Sequence, residues 1–208
     1  TDSLLTIRQK ELSQEMSFAD DLPLLSKSSH LWVEAVLNNF SFFLQDHAAC
    51  ERKASATALS FIIKFPDRTA LIEPMIALAK EELEHFQMVY RKMNAQNIPL
   101  AEKDTKDLYV NAILKQLRHG RNERFLDKLI TFALIEARGY ERFNLLSENL
   151  KDPDWAKFYY DLGQKEKGHY MIFIRIARQY FSEAEISEAL SRIAKLEAEA
   201  LAKAPHNG

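Results

Sequence analysis

Apolar residues recur through most of the chain at the three- and four-residue spacing that places them on one face of a helix. This periodicity predicts long helices over residues 30–64, 67–95, 123–149 and 153–181. Shorter patterns of the same kind cover residues 4–16, 105–117 and 182–203. A break in the first long pattern is expected near residues 38–39, and the chain is predicted to be all-α.

Residues with strong positional preferences mark the ends of these helices. Asp67 is predicted to cap the second long helix, and Asp152, followed by a proline, to cap the fourth. Ser182 and Glu185 have the spacing of a capping box for the last helix. Pro74 lies inside the second pattern, so we expect either a late start or a kink there.

Glycine and proline are scarce, with five and six residues respectively, so turns are few and the elements are long. Four long amphipathic helices, with a longer connection between the second and the third, predict a ferritin-like four-helix bundle with additional flanking helices. No low-complexity segment divides the sequence. We expect one ferritin-like domain, with an N-terminal extension over 1–27, the four-helix core over 28–181, and a C-terminal helix and tail over 182–208.

Composition limits the classes of function. Hydrophobic residues make up 47% and charged residues 28%, which excludes a disordered chain, and the formal net charge is −2 at pH 7. A nucleic acid would therefore have to meet a local basic patch. No run of 18 apolar residues is present, and the single cysteine, Cys50, fits a reducing compartment. We expect a cytoplasmic protein that does not associate with membranes.

Each of the four long helices carries a glutamate within its apolar stripe, namely Glu51, Glu82, Glu136 and Glu166. An unpaired buried carboxylate costs more than a domain with about 5–15 kcal/mol of net stability can tolerate. Such a group must be protonated, paired with a cation or bound to a metal. Because no lysine or arginine shares these stripes near the glutamates, metal binding is the favoured explanation.

Two of these glutamates belong to Glu-x-x-His pairs, Glu82 with His85 and Glu166 with His169, which project from one side of a helical turn. The two pairs are 84 residues apart. One glutamate from each of two helices plus a Glu-x-x-His from each of the other two is the ligand arrangement of di-iron and di-manganese carboxylate proteins. Three glutamates off the stripes are predicted to be surface charges or charges next to the ligands: Glu81, Glu84 and Glu141.

Four segments around these positions are distinctive beyond the ligands themselves: 46–54, 80–86, 127–143 and 157–170. In these segments the sequence resembles a known family, the tRNA 2-methylthio-isopentenyladenosine hydroxylases, which are ferritin-like non-haem di-iron monooxygenases. The resemblance covers about residues 30–208, and the run around Glu136 is more distinctive than the metal ligands alone.

The resemblance implies that two iron ions are held by the six residues of the stripe argument: Glu51, Glu82, His85, Glu136, Glu166 and His169. It implies O2-dependent hydroxylation of the isopentenyl chain of a modified adenosine beside the tRNA anticodon. The second oxygen atom leaves as water, so two electrons are consumed. No G-x-G-x-x-G motif is present, so we expect an external electron donor, a reductase or ferredoxin-like protein. No catalytic residue beyond the ligands is predicted.

The resemblance also implies a surface for tRNA, rather than DNA, near the site. Four arginines are candidates for phosphate contacts, with ordinary surface charge as the alternative: Arg121, Arg124, Arg138 and Arg142. Three tyrosines share the ligand stripes and are candidates for lining an access channel, with bundle core as the alternative: Tyr140, Tyr159 and Tyr170. Cys50 precedes Glu51 but lies about 100° around the helix, so we expect it to be a packing residue.

Three other functions are compatible with the same bundle. A ferritin- or rubrerythrin-like protein that handles iron or destroys peroxide would use these ligands, although the rubredoxin-type Cys-x-x-Cys is absent from the sequence. A di-iron hydroxylase of another substrate would also share bundle and ligands. In a metal-free helical scaffold, the six residues would instead pair with buried cations elsewhere.

Overall fold

The computed structural model of the protein describes residues 23–103 and 107–204. Over these residues the chain forms seven α-helices and no strand: α1 (His30–Asn38), α2 (Phe40–Lys64), α3 (Ile72–Ala95), α4 (Leu108–Leu114), α5 (Arg121–Asn149), α6 (Pro153–Arg178) and α7 (Glu183–Lys203). A short 3₁₀ turn, Thr69–Leu71, precedes α3. The predicted helix over 4–16 lies outside the described residues.

Four helices of 24 to 29 residues, α2, α3, α5 and α6, form the bundle. The most extensive contacts join α5 to α6 and α2 to α3, so the bundle consists of two helical hairpins. Helix α4 lies in the connection between these hairpins and packs against α7, which also contacts α5. The predicted all-α, ferritin-like architecture with flanking helices is confirmed.

Several predicted helix ends are confirmed by their capping contacts. The Asp152 carboxylate accepts hydrogen bonds from the backbone N–H groups of Asp154 and Trp155. Ser182 and Glu185 form a complete capping box at the start of α7. Just beyond the end of α3, Asn97 has a φ of 57°, the left-handed conformation that frequently terminates a helix.

The start of α3 differs from the prediction. Asp67 does not cap this helix, because the chain first makes the 3₁₀ turn and α3 begins only at Ile72. The Asp67 carboxylate instead accepts a hydrogen bond from the Arg121 side chain at 2.5 Å. Pro74 is then the third residue of α3, where a missing N–H removes no intrahelical hydrogen bond. Of the two outcomes allowed for Pro74, the structure has the late start.

The first long helical pattern is interrupted at Asn39, which has a φ of −139° and separates α1 from α2. The Ser29 hydroxyl caps α1 by accepting a hydrogen bond from the Trp32 backbone N–H. The predicted break near 38–39 is therefore confirmed. It allows Trp32, Val33 and Val36 of α1 to be buried against the bundle.

Two apolar clusters form the core along the bundle. One contains residues from the C-terminal half of α2, the start of α3 and the C-terminal half of α6, including Phe61, Met75 and Phe173. The other contains Leu44, Val89, residues near the C-terminal end of α5 and residues from the N-terminal half of α6. On each of the four helices, the stripe glutamate lies between these two clusters. The bundle therefore has a polar layer enclosed by apolar layers on both sides.

Candidate metal centre

The polar layer is formed by the six residues predicted from the stripes. Helix α2 contributes one glutamate, α5 another, and α3 and α6 each contribute a Glu-x-x-His pair. All six side chains are buried, with exposed fractions between 0 and 9%: Glu51, Glu82, His85, Glu136, Glu166 and His169. The structure thus brings together, from four helices, every residue predicted as a metal ligand.

These residues form two overlapping groups in which potential ligand atoms lie within 4.8 Å of one another. The first consists of Glu51, Glu82, His85 and Glu166, and the second consists of Glu82, Glu136, Glu166 and His169. Glu82 and Glu166 belong to both groups. The arrangement therefore offers two adjacent positions for cations, each with one carboxylate and one imidazole of its own and two shared carboxylates.

Both histidines direct Nδ1 into the layer. His85 Nδ1 lies 3.4 Å from Glu82 and 3.5 Å from Glu166. His169 Nδ1 lies 2.7 Å from the other oxygen of Glu82 and 3.4 Å from the other oxygen of Glu166. The two imidazole rings are nearly parallel, with centroids 5.5 Å apart. Each shared carboxylate therefore presents one oxygen to each histidine.

Several buried atoms of this layer have no hydrogen-bond partner among the described residues. They include both ring nitrogens of His85, of which Nδ1 faces the centre of the layer. Leaving such buried groups without hydrogen bonds is costly, so each requires a partner of another kind. Mixed carboxylate and imidazole donors suit iron or manganese. The residues of this layer therefore fit a pair of divalent cations.

The electrostatics of the layer also favour cation binding. Burial, followed by the negative charge of Glu166, holds the pKa of Glu51 and of Glu136 well above the usual range for a carboxyl group. Burial opposes ionisation of Glu166 as well, but its contacts with the two imidazoles outweigh that effect and lower its pKa. With metal bound, four ionised carboxylates and two neutral imidazoles would carry four negative charges, which two divalent cations would balance.

A third histidine, His47, adjoins the layer and was not predicted. Its Nε2 lies 2.5 Å from Glu51 Oε1, and its Nδ1 lies 3.1 Å from the Tyr159 hydroxyl. Burial lowers the pKa of His47 to about 3, so the imidazole is neutral at pH 7. The signal available in the sequence was its position four residues before Glu51, on the same face of α2.

Glu81 lies on the outer side of both candidate ligand histidines. Its carboxylate oxygens are 3.2 Å from His169 Nε2 and 3.9 Å from His85 Nε2, and its side chain is 41% exposed. A carboxylate in this position helps to orient a metal-binding imidazole. Glu81 was predicted to be either a surface charge or a charge next to the ligands. The structure places it next to the ligands, with its side chain still in contact with solvent.

The three predicted channel tyrosines differ in their surroundings. Tyr159 is buried beside Phe143 and Trp155, and Tyr170 is buried in the other apolar cluster. Tyr140 is half-buried, and the Lys167 ammonium lies 5.9 Å from its ring centroid. The contacts of Tyr159 and Tyr170 are those of bundle core, and lining of a channel by the three stays a prediction.

The four candidate tRNA-binding arginines also differ. Arg138 is 2% exposed, and its guanidinium donates hydrogen bonds to Glu197 at 2.9 Å and to Glu141 at 3.0 Å. A buried, paired guanidinium cannot reach a phosphate, which corrects the expectation for Arg138. Arg121 is exposed and pairs with Asp67, and Arg124 is half-buried.

Arg142 is half-buried and lies over the Trp32 ring at 4.6 Å from its centroid. Its Nε donates a hydrogen bond to the Ser28 hydroxyl at 3.3 Å. Phosphate binding by Arg121, Arg124 and Arg142 stays a prediction.

A four-helix bundle whose centre holds one glutamate from each of two helices and a Glu-x-x-His from each of the other two is the arrangement of the ferritin-like di-iron carboxylate proteins. Comparison with known families gives a narrower result. The family described as tRNA-(MS[2]IO[6]A)-hydroxylase (MiaE) matches residues 17–208. The chain belongs to this family, and the membership predicted from the sequence is confirmed.

The chain is also similar to two proteins that are both described as tRNA 2-(methylsulfanyl)-N(6)-isopentenyladenosine(37) hydroxylase. The protein of Pseudomonas putida is 35% identical over 168 residues, covering 81% of this chain and 81% of that protein. The protein of Salmonella typhimurium is 32% identical over 208 residues, covering 77% of this chain and 76% of that protein.

A solved structure shares the fold. It is described as protein 43 with aldehyde deformylating oxygenase activity from Synechococcus, and it is 33% identical to this chain with a TM-score of 0.84. The superposition covers 88% of this chain and 92% of that one.

Among the described residues of the present protein, no helix has the length and hydropathy needed to cross a membrane.

Proposed function

We propose that this protein is a di-iron hydroxylase that inserts one oxygen atom of O2 into the isopentenyl side chain of 2-methylthio-isopentenyladenosine beside the anticodon of tRNA. The observation that carries the proposal is the buried layer of four glutamates and two histidines in a chain of the tRNA hydroxylase family. Because tRNA is the substrate, we propose the cytoplasm as its location.

Six residues would hold the metal ions. Glu51 and His85 would bind one ion, Glu136 and His169 would bind the other, and Glu82 and Glu166 would be shared by both. When bound, a pair of iron ions supplies activation of O2 for insertion of oxygen into a C–H bond. This ligand assignment is supported by the burial of all six side chains and by the buried donor atoms that have no hydrogen bond within the described part of the chain.

The surrounding residues orient the ligands and exclude water. His47, hydrogen-bonded to Glu51 and to Tyr159, fixes the orientation of the Glu51 carboxylate. Glu81 faces the outer nitrogens of both ligand histidines and favours the orientation in which their Nδ1 atoms point inward. The apolar clusters on both sides of the layer keep its interior free of bulk water, which protects a reactive site from side reactions.

The reaction consumes two electrons, because one oxygen atom enters the substrate and the other leaves as water. The sequence has no glycine-rich nucleotide-binding motif, so we propose that the electrons come from a separate protein, a reductase or a ferredoxin-like donor. Glu81 lies 3.2 Å from His169 Nε2 and its side chain is 41% exposed, so one ligand histidine has a neighbour that reaches solvent.

The proposal is tested by loading the purified protein with ferrous iron and supplying O2, a reductant and tRNA that carries the isopentenylated adenosine. Digestion of the tRNA followed by mass spectrometry should show a nucleoside heavier by one oxygen atom, labelled when ¹⁸O2 is used. Fully loaded protein that gives no such product would contradict the proposal.

A second candidate reaction follows from the solved structure with aldehyde deformylating oxygenase activity, which shares the fold at 33% identity. The same assay with a fatty aldehyde in place of tRNA separates the two reactions. Release of formate, without modification of tRNA, would assign the protein to the aldehyde reaction. Iron storage or peroxide removal would instead appear as turnover of iron or peroxide in the absence of either substrate.

A further inference from the structure

A cavity of about 600 Å³ lies beside the metal centre, between α1, α2, α5 and the start of α4. This volume is within the range of about 300–1,000 Å³ that is typical of small-molecule sites. Aromatic and aliphatic side chains form much of its wall: Trp32, Val36, Phe42, Phe43, Ile135 and Phe143. None of the six candidate ligands lines the cavity, so it is separate from the four-helix interface that holds the glutamates.

Two residues belong both to the cavity wall and to the surroundings of the candidate ligands. His47 lines the cavity and contacts Glu51. Gly139 also lines the cavity, and a Cβ atom placed on it would lie 3.9 Å from the Glu166 side chain. The space that a Cβ would occupy at Gly139 therefore adjoins both the cavity and a shared carboxylate of the metal centre.

The packing of the protein does not explain why residue 139 is a glycine. Glycine weakens a helix interior relative to alanine, and 3.9 Å is an ordinary contact distance that leaves room for a methyl group. Gly163 on α6 is different, because a Cβ there would lie 3.2 Å from the Asn144 side chain. The packing around Gly139 would accept an alanine, and the missing side chain keeps clear the space between the cavity wall and Glu166.

We propose that this cavity binds the isopentenyl-adenine group of the substrate and that Gly139 forms the opening through which the isopentenyl chain reaches the metal centre. The proposal rests on the proposed function. Trp32, with the Arg142 guanidinium 4.6 Å from its ring centroid, supplies flat groups of the kind on which unstacked bases are held. The apolar wall suits the five-carbon chain, whose burial is favourable.

The experiment compares two RNA stem-loops with the sequence of the anticodon arm, one carrying isopentenyladenosine and the other plain adenosine at the modified position. Their dissociation constants are measured with metal-loaded protein in the absence of reductant. Because burial of the isopentenyl group contributes about 0.8 kcal/mol per carbon, wild-type protein should prefer the isopentenylated RNA by at least about tenfold. Equal binding of the two RNAs would overturn the proposal.

Two variants test whether the preference arises in this cavity. Ala35→Trp fills the cavity from α1, away from the ligands, and Gly139→Leu closes the opening. Both should abolish the preference while binding of the plain stem-loop stays within about twofold of wild type. Gly168→Leu is the matched control, because a Cβ at Gly168 would meet nothing within 4 Å. This control should keep the preference.

Metal content is measured for each variant, and Ala35→Trp decides the outcome if Gly139→Leu loses metal. If metal-loaded Ala35→Trp keeps the tenfold preference, the cavity is not the binding site. If wild-type protein prefers the isopentenylated RNA but never hydroxylates it, the proposed function is contradicted and the proposed binding site is not. Wild-type protein that hydroxylates, with variants that keep the preference, would contradict only the binding site.

Discussion

The protein buries carboxylates in two different ways. Asp127 and Glu197 are fully buried and contact guanidinium groups. Asp127 accepts hydrogen bonds from Arg118 at 2.7 Å and from Arg192 at 2.5 Å, and Glu197 accepts two from Arg138, at 2.9 and 3.1 Å. The carboxylates of the central layer contact imidazoles and one another instead.

The pKa shift of Asp127 runs in the opposite direction to the shifts of Glu51 and Glu136. Burial opposes ionisation of Asp127, but the hydrogen bonds from Arg118 and Arg192 outweigh it and lower its pKa. Burial raises the pKa of Glu51 and Glu136, and the neighbouring carboxylates raise it further. Asp127 is therefore a stable anion of the fold itself, whereas the central layer is held in place by its helices and still requires cations.

The largest expected effect is the loss of a shared ligand. Glu82→Ala should reduce the metal content from two ions to less than one per chain and abolish hydroxylation, because both groups of ligands lose a carboxylate. Helical content by circular dichroism should stay near the wild-type value. Glu84→Ala, which changes an exposed glutamate on the same helix, is the control and should retain metal and activity. Full metal loading of Glu82→Ala would contradict the ligand assignment.

Removing a carboxylate from the ion-paired group should act on stability instead. Glu197→Ala leaves the buried Arg138 guanidinium without its main partner, so the free energy of unfolding should fall by about 3–5 kcal/mol in chemical denaturation. Glu199→Ala, at an exposed position of the same helix, should change it by less than about 0.5 kcal/mol. A loss below about 1 kcal/mol for Glu197→Ala would show that the pair contributes little.

In the metal-free protein, Glu136 and Asp127 should change the free energy of unfolding with pH in opposite directions. In the unfolded chain Glu136 loses its proton at about pH 4.3, whereas in the folded state its raised pKa keeps the proton bound. The free energy of unfolding should therefore fall as pH rises above about 4.3, by up to about 1.4 kcal/mol per pH unit. Asp127 has a lowered pKa, so its contribution is present above about pH 3.9 and is lost as pH falls. Urea unfolding across pH 5–8 measures the first effect. An unchanged slope in Glu136→Gln would contradict the assignment of this effect to Glu136.

The smallest expected effect distinguishes a partly exposed arginine from a buried, ion-paired one in RNA binding. Arg124→Gln should reduce the slope of log K against log salt by about one unit, because one phosphate contact is lost. Arg138→Met should leave that slope unchanged, since its guanidinium is buried against Glu197. Binding of tRNA at several salt concentrations measures both slopes. A reduced slope for Arg138→Met would restore this residue to the RNA surface.

Local sequence signals predicted most of the fold. Helix positions followed from the apolar periodicity, and the ends marked by Asp152, Ser182 and Asn97 lie where their side-chain or backbone preferences placed them. The assembly of the central layer was also predictable, because a glutamate in an apolar stripe can be recognised within a single helix. Four such helices in one bundle can bring their glutamates together only at its centre.

The features that the sequence did not predict depend on partners distant along the chain. Asp67 has a capping residue's preference, but the 3₁₀ turn over Thr69–Leu71 separates it from α3, and its carboxylate contacts Arg121, 54 positions away. Nothing in the sequence near Arg138 distinguishes it from a surface arginine, because its ion-pair partner Glu197 is 59 positions away. His47 carries no signal beyond its spacing from Glu51, and its contact with Tyr159 arises only when α2 and α6 pack together.

The single cysteine illustrates a further consequence of the cavity. Cys50 lines it, next in sequence to Glu51, and burial together with the nearby Asp46 carboxylate raises the pKa of its thiol. Oxidants attack the thiolate far faster than the protonated thiol. A protonated thiol can therefore lie next to a ligand of the proposed di-iron centre with little tendency to form sulfenic acid, and the lifetime of the protein in air should depend on keeping that proton in place.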